Sequence, residues 1–306
     1  MNKAEPAPKS FDTVTPDKST LLAYGLSILF AGANAVAVRF TVAELPPFWG
    51  ATIRFALAAL IFWVVALGRK TSVPQGRALV GIFLYGLLNF GVSYALLYWG
   101  LQTIPAGVTQ ILIALAPLMT FFFAFFHGLE SFRWRGLIGA LLAVGGIAYA
   151  FFDQPSGNLP LLPMLAIIGG AACIAESAVV VKMYPPSDPF VTNAVAMTVG
   201  TLILVVLSLI SGEAWILPAL TATWASIIYL VLFGTVVVFY LFLYVIRRWT
   251  ASATAYQLVL MPFVTVLVAG WLADETVNSA FLLGGAVVLF GVWIGALSNL
   301  SDGGEP

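Results

Sequence analysis

The sequence is poor in charge. Only 8% of its 306 residues are Asp, Glu, Lys or Arg, against about a quarter in a soluble globular domain, so a water-facing surface cannot be built from it. Its 13 basic and 13 acidic residues cancel to a formal net charge of zero, which excludes a nucleic-acid-binding face and any nucleic-acid partner. One cysteine, Cys173, excludes an internal disulfide. One histidine, His127, lies far from that cysteine, so neither a His/Cys/Glu metal site nor a Ser/His or paired-carboxylate centre is legible. No GxxxxGK[ST] loop is present, which argues against a primary pump. No cofactor and no metal are expected, and an enzyme reading is the remote alternative.

What the chain has instead is apolar length. Hydrophobic residues make up 61% of it and the mean hydropathy is +1.02. Apolar runs fall at 20–38, 47–67, 78–101, 105–126, 135–152, 161–181, 189–211, 222–246, 251–273 and 279–298. A membrane-spanning helix takes about 20 residues, so the expectation is an all-α integral membrane protein with ten transmembrane helices. Residues 1–19 are polar and proline-broken, a tail and not a signal peptide, because nearly twenty polar residues precede the first apolar run and nine more runs follow. Residues 299–306 form a second polar tail.

Orientation follows from lysine and arginine, which accumulate in short cytoplasmic connections. With ten spans both termini share a side. That side collects Lys3, Lys9, Lys18, Arg69, Lys70, Arg77, Arg133, Arg135, Lys182, Arg247 and Arg248, while the other holds Arg39 alone. Both termini are therefore expected in the cytoplasm.

The two halves repeat. Shifting by 145 positions pairs 104–148 with 249–293 without a gap and gives ten identities, among them Pro117/Pro262, Thr120/Thr265, Glu130/Glu275, Gly139/Gly284 and Gly146/Gly291. A shift of 142 to 143 sets Arg39 on Lys182 and Pro47-Phe48 on Pro189-Phe190. The units are 20–152 and 161–298, joined by an outer linker at 153–160. Five helices per unit is an odd number, so the second unit enters the membrane inverted. Inverted repeats are a recurring architecture of secondary transporters, with the substrate near the midplane where the halves meet.

The stretches FAGANAVAVRF (30–40), PPFWGATIRFALAAL (46–60), YALLYWGLQTIPAGVTQILIALAPLMTFFFAFF (94–126) and ESFRWRGLIGALLAVGGIAYA (130–150) resemble the drug/metabolite transporter superfamily, in particular its ten-helix EamA-type exporters. The resemblance covers roughly 20–298 and is closest to bacterial amino-acid exporters of the YddG type. It implies a carrier in the inner membrane that exports aromatic and other amino acids. Its small-molecule partners would be amino acids and its solvent the lipid bilayer; the oligomeric state is left open. The same resemblance brings in methyl viologen, so efflux of lipophilic cations is the alternative.

Several residues could line a substrate cavity. Arg54 lies about seven residues into helix 2, where a charge is costly unless it faces protein or water; it is either a counter-charge for a carboxylate or a structural arginine bonding helix ends. Glu176 is the one carboxylate well inside a span, fit to take an ammonium group or a proton, or else to pair with Lys182. Asn34, Asn89, Tyr94, Tyr98, Gln110, Tyr244, Tyr256 and Gln257 complete an apolar, aromatic lining with scattered hydrogen-bonding groups. Tyr94/Tyr98 and Tyr240/Tyr244 are each four apart and so share a helical face. His127 reads as a headgroup-level residue or a proton relay. Pro117 and Pro262 each free a carbonyl in helices 4 and 9 and are candidate hinges. Gly291/Gly295 and Gly139/Gly145/Gly146 read as close-packing positions.

Overall fold

The computed structural model describes residues 16–101, 103–104, 109, 112–150, 160–273 and 279–297, and all regular structure among them is helical. The helices are α1 (Lys18–Val42), α2 (Pro47–Gly68), α3 (Arg77–Tyr85, a π-helical stretch Gly86–Val92, then Ser93–Leu101), α4 (Ala116–Phe126) and α5 (Trp134–Ala150). They continue as α6 (Leu161–Met183), α7 (Pro189–Ile210), α8 (Thr221–Val231, a π-helical stretch Leu232–Val237, then Val238–Ile246), α9 (Ala251–Ala255 and Gln257–Ala273) and α10 (Ser279–Val292, ending in the π-helical Trp293–Leu297).

Ten crossings are expected; among the described residues, five stretches are both long and apolar enough to cross a membrane: Pro47–Gly68, Arg77–Gly100, Leu161–Met183, Pro189–Ile210 and Thr221–Ile246. Shorter apolar helices cover Ala116–Phe126, Trp134–Tyr149 and Leu283–Gly295. Two of the expected runs are interrupted locally, in α4 and α9. A turn at Ala114–Leu115 precedes α4, with Pro117 in its first turn, and α9 steps at Tyr256. Pro262 stays inside the longer part of α9. The expected interruption of helix 9 is therefore six residues earlier than its proline.

The bundle is apolar outside and polar within. Leu60, Val64, Leu67, Phe126, Leu209 and Ile210 are all more than half exposed, whereas Ser27, Arg54, Asn89, Ser93, Ser177 and Asn193 are buried. In a lipid solvent the backbone must bond to itself and polar side chains are driven inward. Glycine sets the closest approaches. A methyl group on Gly139 would lie 2.6 Å from the Gly291 carbonyl oxygen, and one on Gly146 would lie 2.7 Å from that of Gly284. The glycine positions of α5 and α10 thus pack on each other within the chain, and the order of their contacts makes the two helices antiparallel. On the other side of the bundle, Gly86 of α3 rides on the backbone of Ala196 in α7.

Carboxylates from the connections close the helix ends. Asp17 caps α1, accepting from the Thr20 amide at 2.9 Å and the Ser19 hydroxyl at 2.7 Å. Those bonds, the Ser19 hydroxyl first, hold its carboxyl down at about 2. Proline starts α2, and Glu213, from the connection after α7, accepts from the Phe48 and Trp49 amides at 3.0 and 2.7 Å and from the Ser208 hydroxyl at 2.7 Å. In return Glu44, between α1 and α2, accepts from the amides of Ala219 and Leu220 ahead of α8 at 2.5 and 3.3 Å. Trp49 and Trp215 stack over this clasp at 4.6 Å. Glu130, between α4 and α5, accepts from the amide and hydroxyl of Ser252 at the start of α9, at 3.1 and 2.5 Å, with Arg133 at 3.3 Å.

Charge-assisted bonds to a helix N-terminus contribute about 1 to 2 kcal/mol. Glu213→Ala should therefore lower unfolding stability by about 2 kcal/mol, read as a lower midpoint in detergent-solubilised protein, while Glu213→Gln, which keeps an acceptor oxygen, should lose about half as much. Equal midpoints for Glu213→Ala and the wild type would remove the clasp from this account.

Candidate functional site

Polar side chains carried inward by α1, α2, α3, α4 and α9 meet, with the backbone and apolar side chains of α8, at a cavity of about 280 Å³. The α8 wall is a π-helical stretch, and such bulges open the regular hydrogen-bond ladder. The Gly234 carbonyl there accepts from Arg54 Nη2 at 2.9 Å and from Asn34 Nδ2 at 2.9 Å, and Arg54 Nε donates to Thr235 Oγ1 at 2.7 Å. Glycine is required at this point, because a Cβ on residue 234 would overlap the Asn34 carboxamide.

Arg54 is 4% exposed. Its guanidinium carbon lies 5.3 Å from the Phe55 ring centre and 5.9 Å from that of Tyr94, and Tyr94 stacks toward Tyr98 at 6.0 Å. No carboxylate among the described residues is within ion-pair distance of it; the ion pairs found there are His127–Glu176 and Arg133–Glu130. A buried cation without an anion is costly in a membrane. Ring faces and a carbonyl offset part of that cost, and an anionic group entering the cavity would offset more.

The second polar wall comes from the π-helical stretch of α3. Asn89 there accepts from the Ser177 hydroxyl at 3.2 Å, and its buried Nδ2 has no partner; Asn34 Oδ1 likewise has none. Gln257, on α9 just past its step, accepts from the Ser27 hydroxyl at 3.2 Å. Ile113 and Leu258 line the cavity too. Each sits four residues before a proline, so neither carbonyl can receive the usual helical N–H.

Of the expected cavity residues, Asn34, Arg54, Asn89, Tyr94, Tyr98 and Gln257 are brought together here. Gln110 lies outside the described residues, as does the side chain of Arg39. Glu176 does not line the cavity. Its carboxylate turns to His127 Nε2 at 3.3 Å, and not to Lys182 as the sequence suggested. Tyr244 is also off the cavity, its hydroxyl 3.1 Å from Ser19 Oγ and its ring under Arg248 at 3.7 Å. Tyr256 donates to the Gly136 carbonyl at 3.3 Å and is buried against α5 and α10. Gly234 and Thr235 escaped the sequence reading; a Gly-Thr pair amid an apolar helix was the signal available.

The EamA-like transporter family model matches this chain twice, over residues 18–152 and 161–296. The chain belongs to the EamA-like transporter family. Among curated relatives, the inner membrane transporter YedA of Escherichia coli strain K12 is 29% identical over 266 residues, 85% of each chain. The transporter YdfC of Bacillus subtilis strain 168 is 29% identical over 248 residues, 79% of each. A protein of Streptantibioticus cattleyicolor named "probable terminal-alkyne amino-acid exporter" is 26% identical over 255 residues, covering 79% of this chain and 81% of that one. One solved crystal structure, 17% identical, superposes over 94% of this chain and 100% of its own with a TM-score of 0.81, so the fold is shared. Family members are transporters and not enzymes, and this EamA protein is a multi-pass membrane transporter.

The Gly234 contact can be isolated. Gly234→Ala should lower the unfolding midpoint by displacing Asn34, and Asn34→Ala in that background should restore part of it, giving a coupling of about 1 to 2 kcal/mol in a double-mutant cycle. Additive effects would mean that the two residues do not share this contact.

Proposed function

We propose that this EamA transporter is a secondary carrier that exports amino acids, aromatic ones among a broad set, by alternating access between two inverted five-helix units, with both termini in the cytoplasm. The observation that carries the substrate class is Arg54: a buried guanidinium without a carboxylate partner among the described residues, on an otherwise apolar and aromatic cavity. Such a cavity suits an amphipathic solute with a carboxylate. Asn89 Nδ2, a buried donor without a partner, adds to the same preference.

The alternating-access reading is supported by the packing. With the helices numbered off in fives, α1 packs on α8 and α9 while α6 packs on α3 and α4, and α2 pairs with α7 and α5 with α10. Each of these pairings maps onto another or onto itself when the fives are exchanged. The antiparallel run of α5 against α10, with Gly139 on Gly291 and Gly146 on Gly284, fits mates that enter from opposite sides. The exporter direction and the likeness to YddG-type carriers rest on the family. The cation-efflux alternative loses its anchor, since Glu176 faces His127 and no described residue lining the cavity is acidic.

Counterflow in proteoliposomes tests the reading. Labelled phenylalanine should enter with saturation, faster when unlabelled phenylalanine is preloaded and no faster with preloaded phenethylamine, which lacks the carboxylate. Arg54→Gln should cut exchange about tenfold or more, the loss of one charged hydrogen bond. Acceleration by phenethylamine or methyl viologen but not by amino acids would reverse the substrate assignment.

A further inference from the structure

We infer that His127 and Glu176 form a proton-binding site across the boundary between the two repeats, holding one shared proton in the conformation seen here and losing it when α4 and α6 part. His127 caps the C-terminus of α4. Its Nδ1 lies 2.9 Å from the Phe123 carbonyl oxygen, which can only accept, so Nδ1 carries a hydrogen. Its Nε2 lies 3.3 Å from Glu176 Oε1 on α6. With the Nδ1 hydrogen fixed, a neutral imidazole presents a lone pair at Nε2, and an ionised carboxylate presents another. That arrangement repels. The contact is attractive with one further proton between the two atoms, as imidazolium with carboxylate or imidazole with carboxylic acid. Either way the pair is neutral overall and has bound one proton.

The charged groups of the neighbouring elements do not substitute for this pairing. Lys182 lies six residues further along α6, and the ion pair found for Glu176 among the described residues is with His127. Glu130 pairs with Arg133 and accepts from the Ser252 hydroxyl of α9. Arg135 lies in the first turn of α5 and is not without a partner. The His127 and Glu176 side chains are 33% and 27% exposed, so neither is sealed in the core.

The site has no counterpart in the other half. At a shift of 145 the mate of His127 is Leu272, and at 142 to 143 the mates of Glu176 are Asn34 and Ala33. The contact of α4 with α6 has α9 with α1 as its mate. If the halves exchange conformations, as the proposed alternating access requires, only one of the two exchanging contacts binds a proton. A ligand held in one state and not in the other shifts the equilibrium between them. Acidification therefore favours the conformation described here, and alkalinisation releases it.

His127 is the sole histidine, so 15N-histidine-labelled protein, purified on a tag without histidine and placed in nanodiscs, gives one imidazole. The expected spectrum at neutral pH shows a hydrogen on Nδ1 and a second proton bridged from Nε2 to a carboxylate; Glu176→Gln removes the second and keeps the first. Should Glu176→Gln fail to fold, the wild-type tautomer decides alone: a bare Nδ1 with its hydrogen on Nε2 overturns the proposal. In the counterflow assay, exchange by the wild type should change by about threefold or more between pH 6 and 8, and His127→Gln and Glu176→Gln should flatten that dependence. Variants that keep the wild-type dependence would overturn the proton link. Failure of amino-acid exchange altogether would sink the carrier reading, while the imidazole spectrum would still judge the proton site.

Discussion

The Gly234 carbonyl holds the cavity together. In an apolar solvent a backbone oxygen that its own helix satisfies poorly must find donors on other helices. Here it finds two, Asn34 from α1 and Arg54 from α2, and Arg54 also reaches Thr235. The π-helical stretch of α8 therefore fixes where a buried cation can stand, and the cation fixes three helices relative to one another. Glycine is what allows it, since the Asn34 carboxamide occupies the space of a side chain at 234. A cation held by carbonyl and hydroxyl oxygens keeps its full charge, so the cavity remains attractive to an anion.

Much of the fold was legible because lipid simplifies the problem. Long apolar runs can only be helices, and their order gave the helical segments within a few residues, as at 47–67 against Pro47–Gly68. Periodicity does not survive a π turn. One inserted residue turns the following stretch by about 100°, so no phase read upstream of Leu232–Val237 could show that Tyr240 and Tyr244 face away from the cavity while Val238 and Phe242 face it. Tyr256 was misread for a related reason. It sits where α9 steps, and its side chain is sent to α5 while its neighbour Gln257 faces the cavity.

Pairings between distant residues were the least legible part. Lys182 is six positions from Glu176 and was the natural sequence partner, whereas His127 is 49 positions away and meets it only because α4 packs on α6. The glutamates of the connections are similar. Glu44, Glu213 and Glu130 lie in connections, where acidic residues carry little topological information. Each instead caps a helix that is remote in sequence, at separations of 175, 165 and 122 residues. Only the matched Glu130/Glu275 pair hinted that one of them had a fixed task.

The cavity combines a symmetric frame with asymmetric chemistry. Ile113 and Leu258, each placed before a proline, are mates at a shift of 145, as are Thr120 and Thr265, and all four line the cavity. Arg54 has no such mate: shifts of 142 to 143 lead to Ala196 and Met197, both buried and apolar. Under the alternating access proposed above, a frame that maps onto itself gives the two conformations similar energies. A charge that does not map onto itself gives the solute one preferred orientation. At the mate positions Ala196 and Met197 are fully buried, so a second cation there would have to displace packed core. In the carrier proposed above, that one-sided charge is the feature that would select a carboxylate.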